Sequence, residues 1–79
     1  MRLDKFLKVS RIIKRRSVAN EVCDAKKITV NNKIAKASYV VKIDDIIEIS
    51  MGSKITRIKV INLNEHTTKE NAQNNYIII

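Results

Sequence analysis

Four cationic side chains crowd into the six-residue segment 11–16, together with two isoleucines. Guanidinium and ammonium groups bind phosphates and carboxylates through charge-assisted hydrogen bonds. Like charges this close repel one another, so the segment destabilises the fold unless a partner of opposite charge neutralises it. The chemistry that the segment indicates is therefore the binding of a polyanion. Its cations are Arg11, Lys14, Arg15 and Arg16.

Residues suited to catalysis or metal binding are scarce. The sequence has one cysteine, Cys23, and one histidine, His66, which lie far apart in the chain and share no local signature. A metal site needs about three or four ligands, and the single glycine excludes a glycine-rich phosphate loop. We expect Cys23 to be a small buried hydrophobe and His66 to be solvated. Enzymatic activity and a cofactor are not expected.

Length and charge favour a small protein that acts through its surface. The 79 residues suffice for one domain, whose core is too small for a deep substrate cavity. Sixteen Lys and Arg against eight Asp and Glu give a net charge of +8. Residues 1–16 hold seven cations and one anion, a net +6, whereas residues 61–79 hold one cation and two anions, a net −1. The positive field at the front of the chain suits nucleic acid or an acidic membrane.

Cysteine content and hydropathy indicate a cytoplasmic protein. A lone cysteine cannot form an internal disulfide, which fits a reducing compartment. The N-terminus is too broken by charge for a signal peptide, and no apolar run is long enough to cross a bilayer. Membrane-surface binding is the poorer alternative, because the chain has no Trp and needs Phe6 and Leu7 for its core. We expect a monomer that does not bind membranes.

Two short helices are expected to carry the basic front. Leu3, Phe6 and Leu7 repeat at helical spacing and form an apolar stripe, so the cations between residues 2 and 8 fall on the opposite side. Ser17 is typical of an N-cap and predicts a second helix that ends near residue 25. The cationic segment 11–16 would then lie between the helices. The buried face of the second helix would consist of Val18, Val22 and Ala25.

Three apolar stretches are expected to form the strands of a small sheet. Asn31 and Asn32, after the first stretch, tolerate the left-handed backbone of a tight turn. In the third stretch Ile58 and Val60 alternate with cations, as one buried and one solvated face require. The stretches are 28–30, 46–50 and 55–63.

The C-terminal stretch is expected to add a short helix. Thr67 followed by Glu70 has the spacing of a capping box, which predicts a helix over 68–75. Ala72 and Tyr76 would then face the core. The apolar residues that follow are typical of a strand.

Folded RNA is the nucleic acid that the sequence favours. Proteins that bind single strands stack the bases on exposed aromatic side chains, and this chain has only two Tyr and one Phe. A major-groove helix needs several exposed Asn, Gln or Arg residues, whereas the second helix offers Asn20 and Glu21. The remaining mode is recognition of phosphates and of RNA shape by arginines and by the N–H groups at the start of the second helix.

The order of these motifs resembles the S4 RNA-binding domain family over about residues 1–50. The segments that carry the resemblance are "RLDKFL" (2–7), "SR" (10–11), "SVANEV" (17–22), "ITVNN" (28–32) and "VKIDDIIEI" (41–49). The stretches "MRLDKFLKVSRIIKRRSVA" and "TTKENAQNNYIII" are similar to small stand-alone S4 proteins of bacterial ribosome-associated quality control, which are relatives of the heat-shock S4 proteins.

An α+β fold of the S4 (αL) type follows from this resemblance. Two N-terminal helices would pack on a small, mainly antiparallel sheet, and a short C-terminal helix would follow. We expect one single domain, with the S4 RNA-binding part and its sheet in 1–63 and a C-terminal extension in 64–79.

The resemblance also implies a function. Proteins of this group bind large ribosomal subunits that remain obstructed by peptidyl-tRNA after a stalled ribosome splits. They contact the large-subunit rRNA and the tRNA, and hold the tRNA while an alanine-tailing factor extends the stalled chain. The positions that match the family's RNA-contacting residues are Arg2 and Arg16. Expected neighbours on the same surface are Lys5, Lys8, Ser10, Arg11, Lys14, Arg15, Lys36 and Ser38.

Four positions depart from the family's pattern. The family usually has Gly where this chain has Lys26, Asn32 and Asp44, and Pro where it has Ile43. Asn and Asp adopt left-handed turn conformations readily, whereas Lys does so less easily. We therefore expect changes in local turn geometry more than in the RNA-contacting surface.

Other functions compete with this interpretation. A heat-shock-type S4 protein that recycles stalled large subunits, or a ribosome assembly factor, would use a similar surface on a different RNA target. A small enzyme that uses Cys23 and a protein-only adaptor belong to other classes. Alkylation of Cys23 without loss of function would exclude the enzyme, and RNase treatment of a pull-down would separate the adaptor from an RNA-binding protein.

Overall fold

The computed structural model describes residues 1–66, 68 and 70–79, with the backbone alone at 72 and 73. The elements, in chain order, are α1 (Leu3–Val9), α2 (Arg16–Asp24), β1 (Ile28–Val30), β2 (Lys33–Ile34), β3 (Ile46–Met51), β4 (Lys54–Val60), a 3₁₀ helix (Ala72–Asn75) and β5 (Tyr76–Ile78). The strands form one antiparallel sheet in the order β2-β1-β3-β4-β5. This architecture confirms the predicted α+β class. In the described part of the chain, no helix has the length and apolar character needed to cross a membrane.

The core lies between the helix pair and one face of the sheet. Leu3, Phe6 and Leu7 of α1 are fully buried, as their spacing predicted. Ile47 of β3 and Ile58 of β4 lie opposite each other and are fully buried as well. Each such side chain stabilises the fold by about 1.5–3 kcal/mol. This contact seats the helices, and with them the basic segment 11–16, on the sheet.

The start of α2 differs from the expected one. Ser17 was predicted as the N-cap, but α2 begins at Arg16, and Arg15 takes the N-cap position with extended backbone and no side-chain cap. Arg16 instead donates a hydrogen bond of 3.3 Å to Asp4 of α1. A contact between the two helices therefore accompanies the start of α2 in place of a local cap.

The buried face of α2 is rotated from the predicted one. Ala19 is fully buried and Cys23 is buried, whereas Val18 and Val22 are half-buried and Ala25 is exposed. Residues 19 and 23 lie four apart on one helix face. Their small side chains let the backbone of α2 approach the core, so the two valines are left to cover its flanks.

The turn after α1 is a Schellman motif closed by a cation. The N–H of Ile12 donates to the carbonyl of Leu7, and the N–H of Arg11 donates to the carbonyl of Lys8, both at 3.0 Å. The residue at the centre of this motif has left-handed backbone and is usually Gly. Arg11 occupies it here with a φ of 58°.

The turn after α2 repeats this arrangement. The N–H of Lys27 donates to the carbonyl of Val22 at 3.2 Å, and the N–H of Lys26 to that of Cys23 at 2.9 Å. Lys26, at a position where the family usually has Gly, has left-handed backbone with a φ of 61°. A side chain at this position costs up to about 1 kcal/mol relative to Gly.

The hairpin between β1 and β2 confirms the predicted turn at Asn31-Asn32. Both residues have positive φ, 52° and 69°, and Val30 lies opposite Lys33. Two consecutive left-handed residues are typical of the type I′ turn that fits the twist of a hairpin. β2 was not predicted, since two residues are too few for a periodic pattern.

The last predicted strand is shorter than expected. β4 ends at Val60 because the N–H groups of Ile61 and Asn62 donate to the carbonyl of Asn75, at 3.0 and 3.3 Å, instead of to a strand. Ile58 and Val60 are fully buried, so the predicted alternation within β4 is confirmed.

The C-terminal segment returns to the sheet. A helix was expected over 68–75; among the described residues of that range, the helical ones form the 3₁₀ turn Ala72–Asn75. Its proposed cap, Thr67, lies outside the described residues, as does the side chain of Ala72. The strand-like end is confirmed, since β5 pairs with β4 and places Tyr76, half-buried against the core, opposite Val60.

Candidate RNA-binding site

A buried carboxylate holds two arginines at the surface. Asp4 is 3% exposed. Its oxygens accept hydrogen bonds from the Arg2 guanidinium at 3.3 and 3.4 Å and from the Arg16 guanidinium at 3.3 Å. The side chains of Arg2 and Arg16 are 49% and 48% exposed, so each is anchored on one side and open on the other. Guanidinium groups held in this way are suited to bidentate contacts with phosphate.

Further donors keep the Asp4 carboxyl ionised. The side-chain amide of Asn20 donates to it at 3.4 Å, and the backbone N–H of Lys5 donates at 2.8 Å. Burial acts to raise the pKa of Asp4, but the hydrogen bonds from Arg16, Asn20 and Lys5 outweigh burial and leave the pKa below its ordinary value of 3.8. At neutral pH the carboxylate therefore carries the charge that balances the arginine pair.

Stability should fall when the pH is lowered through the titration of Asp4. The folded state binds this proton more weakly than the unfolded state, so the contribution of Asp4 is fully present above pH 3.8 and is lost as the pH falls through the lower folded pKa. Urea unfolding at pH 7 and at about pH 3 should show a difference between wild type and Asp4→Asn that shrinks at the acidic pH. Asp44→Asn, which alters an exposed carboxylate, is the control. An Asp4→Asn difference of equal size at both pH values would contradict the assignment.

The cations of segment 11–16 project from an apolar base. All four are exposed. Ile13 is buried and Ile12 is half-buried against the core. The isoleucines therefore fix the loop, and Arg11, Lys14 and Arg15 beside them extend the basic surface that begins with the arginine pair.

Ser10 lies beneath this surface. It is 1% exposed, and its hydroxyl accepts a hydrogen bond of 3.2 Å from the side-chain amide of Asn75. The same amide donates to the carbonyl of Asn64 at 3.0 Å, and the N–H of Asn64 donates to the side-chain oxygen of Asn75 at 3.2 Å. Ser10, expected among the RNA-contacting residues, thus supports the loop from within. Nothing in the sequence marks Asn75 as a buried residue, because it lies in a polar stretch.

Lys5 and Lys8 extend the surface along α1. Lys8 is exposed, and the Lys5 ammonium lies 2.8 Å from the carboxylate of Glu65. The hydrogen bond from Lys5 lowers the pKa of Glu65. Solvent-exposed ion pairs contribute little to stability, so Lys5 can exchange this carboxylate for a phosphate.

A groove links the remaining expected residues to the arginine pair. It has a volume of about 450 Å³ and lies between α2 and the segment 34–38. Arg2 borders it and also belongs to the Asp4 cluster, so the structure connects Lys36 and Ser38 to that cluster. The polar residues that line the groove are Arg2, Asn20, Asp24, Lys26, Lys36 and Ser38.

Of the residues considered for catalysis, Cys23 lines the groove with a side chain that is buried. Burial, aided by the charges of Asp4 and Asp24, raises the pKa of the Cys23 thiol to about 11, so the thiol is protonated and unreactive at neutral pH. The interpretation of Cys23 as a buried hydrophobe is confirmed. His66 is exposed, as expected. Among residues 1–66, 68 and 70–79, no three His, Cys, Asp or Glu side chains are grouped so that they could hold a metal ion.

Known proteins are similar to this chain. The family model of the S4 domain matches residues 1–47. The chain is 52% identical over 79 residues to the RQC P-site tRNA stabilizing factor of Streptococcus pneumoniae, covering 100% of this chain and 90% of that relative. It is 49% identical over 79 residues to the protein of the same name from Bacillus subtilis, covering 100% and 92% of the two chains.

A solved structure shares the fold. The trimeric structure of Vibrio cholerae Heat Shock Protein 15 has a TM-score of 0.93 and 29% identity to this chain, covering 100% of it and 81% of the Vibrio chain. The match confirms the S4-type arrangement of two helices on an antiparallel sheet. Together with the sequence comparisons, it establishes that the chain belongs to the S4 domain family, among the proteins named RQC P-site tRNA stabilizing factor.

Proposed function

We propose that the protein is an RNA-binding factor of ribosome-associated quality control. The observation that carries this proposal is the Asp4 cluster, which holds Arg2 and Arg16 half-exposed at the positions that match the family's RNA-contacting residues. The relatives' name, which speaks of stabilizing P-site tRNA, supports the same role. The protein acts by binding and not by catalysis, in the cytoplasm and as a monomer.

Its target is the large ribosomal subunit obstructed by peptidyl-tRNA. Large-subunit rRNA and the tRNA both present phosphates, which the exposed cations neutralise. The buried Ile13 and the Asp4 carboxylate keep the cationic surface in one shape. Held in this way, the tRNA would remain in place during alanine tailing of the stalled chain by a partner factor. The contacting residues are Arg2, Lys5, Lys8, Arg11, Lys14, Arg15, Arg16, Lys36 and Ser38, with Ser10 beneath them.

A second function uses the same surface on another particle. The likeness to Vibrio Heat Shock Protein 15 supports a heat-shock-type protein that recycles stalled large subunits. A ribosome assembly factor would also need a phosphate-binding face. The three functions differ in the state of the subunit that is bound.

Arg16→Ala should weaken binding to large subunits by about tenfold, the equivalent of about 1.4 kcal/mol. The domain should stay folded, because the Arg16 side chain is half-exposed. The lost phosphate contact should reduce the slope of log affinity against log salt by about 0.7–0.9. The measurement is co-sedimentation on sucrose gradients of lysates from cells with stalled translation, supported by a salt titration on purified subunits. Arg57→Ala removes an exposed cation on β4 and is the matched control.

The gradients separate the candidate functions. Wild type on large subunits that carry peptidyl-tRNA, with Arg16→Ala at the top of the gradient, would support quality control. Wild type on empty subunits or on assembly intermediates would support recycling or assembly. If wild type never left the top, the ribosome would be the wrong partner.

A further inference from the structure

We propose that the groove between α2 and the segment 34–38 is a second subsite for the RNA backbone, in which Lys26 binds a phosphate. The inference rests on the proposed RNA-binding function and extends the surface beyond the Asp4 cluster and segment 11–16. It adds to that surface a residue, Lys26, which neither the charge pattern nor the family resemblance marks as a contact.

Three cations converge on the groove from separate parts of the chain. Arg2 precedes α1, Lys26 follows α2, and Lys36 lies in the segment 34–38; all three are exposed. One acidic residue, Asp24, is among the lining residues in the described part of the chain, and Arg2 is paired with Asp4 beside the groove, so Lys26 and Lys36 give the groove an excess of positive charge. Cations brought together in this way repel one another until an anion enters.

The ammonium groups of Lys26 and Lys36 are available to such an anion. The ion pairs among the described residues join Arg2 and Arg16 to Asp4, Lys5 to Glu65, and Lys59 to Asp44. Neither groove lysine takes part in them. A lysine is a compact charge with three donors, which suits contact with a single phosphate.

The backbone of Lys26 points to a use for its side chain. The residue occupies the left-handed position of the Schellman motif after α2, where Gly is favoured, with a φ of 61°. Both hydrogen bonds of the motif are formed, so the turn itself would accept Gly without rearrangement. A strained residue that persists at the edge of a charged groove is a candidate for a functional role.

The composition of the groove favours a ribose-phosphate chain as the ligand. The Asp24 carboxylate would repel a phosphate but can accept a hydrogen bond from a ribose 2′-hydroxyl, and the Ser38 hydroxyl can bind either a phosphate or a ribose. Because Arg2 borders both the groove and the Asp4 cluster, one RNA strand can pass from Arg16 across Arg2 to Lys26.

The variant Lys26→Gly should raise the stability of the domain and weaken its binding to RNA. Removing the side chain relieves the left-handed backbone, so the Tm should rise, at most by about 4–8 °C in a domain of this size. Removing the charge should weaken binding at least threefold and reduce the salt slope by about 0.7–0.9. The affinity and the salt slope are measured on purified large subunits and on a deproteinised folded RNA, a bulk tRNA preparation.

Two further variants separate charge from strain. Lys26→Ala retains the strained backbone without the charge, so it should bind as weakly as Lys26→Gly without the gain in Tm. Lys27→Ala removes the next exposed cation, which does not line the groove, and should bind as wild type.

The outcomes distinguish this subsite from the proposed function. If Lys26→Gly keeps the wild-type affinity and salt slope while Arg16→Ala loses binding, the subsite is overturned and the proposed function stands. If wild type binds the tRNA but not the subunits, the proposed function fails and the subsite is judged on the tRNA alone. If wild type binds neither, both proposals are overturned.

Discussion

Asp4→Asn should reduce the affinity for large subunits by about 10- to 100-fold, the equivalent of about 1.4–2.8 kcal/mol, which exceeds the loss expected for Arg16→Ala. An Asn side chain has the same shape as Asp, but its amide nitrogen donates a hydrogen bond and cannot accept one. The two carboxylate oxygens of Asp4 accept hydrogen bonds from Arg2, Arg16 and Asn20. In Asp4→Asn one of these oxygens would be replaced by an NH₂ group, which would face other hydrogen-bond donors. Both arginines would lose their fixed orientation at once.

The same substitution should lower the free energy of unfolding by about 1.5–3 kcal/mol, the range for hydrogen bonds to a buried charged group. Urea unfolding at pH 7 measures this loss, and co-sedimentation with large subunits measures the binding. Asp44→Asn removes an exposed carboxylate and should change neither. Wild-type stability and affinity in Asp4→Asn would show that the carboxylate does not organise the arginine pair.

Asn75→Ala should lower the free energy of unfolding by about 2–4 kcal/mol. Asn75 is fully buried and makes three side-chain hydrogen bonds, to Ser10 and to the N–H and carbonyl of Asn64. Alanine would leave the buried Ser10 hydroxyl without its partner, remove both bonds to the Asn64 backbone and open a small void. A domain of this length has a total stability of roughly 4–12 kcal/mol, so the loss is a large fraction of it.

Denaturant titration of Asn75→Ala beside Asn74→Ala isolates this effect. Asn74 is exposed and adjoins Asn75 in the 3₁₀ turn, so Asn74→Ala should stay within about 0.5 kcal/mol of wild type. The double variant Ser10→Ala/Asn75→Ala should lose less than the sum of the single variants, because the two side chains share a hydrogen bond. Full additivity, or a stable Asn75→Ala protein, would contradict the role of Asn75.

The sequence correctly predicted those elements whose formation depends on residues close together in the chain. Leu3, Phe6 and Leu7 form one helical stripe, and Asn31-Asn32 supply the backbone of their own turn, so spacing and residue type sufficed. The face and start of α2 were misplaced because contacts with the rest of the core, which no local pattern contains, decide them.

The candidate site, too, could be predicted from the sequence only in part. Net charge along the chain located the basic front, but the lone anion within it, Asp4, carried no sign that it would be buried beneath two arginines. The family resemblance drew attention to Lys26 but not to Arg11, although both are left-handed. We propose that residues 1–63 and 64–79 form one domain, and the bond from Asn75 to Ser10 and the pairing of β5 with β4 support this.

The hydrogen bond between Ser10 and Asn75 can form only late in the synthesis of the chain. The two residues are 65 positions apart, so at translation rates of about 5–20 residues per second Asn75 is synthesised about 3–13 s after Ser10. During that interval the end of α1 and the basic segment 11–16 lack their buried partner. The segment proposed to bind RNA is therefore synthesised several seconds before the residue that completes its buried support.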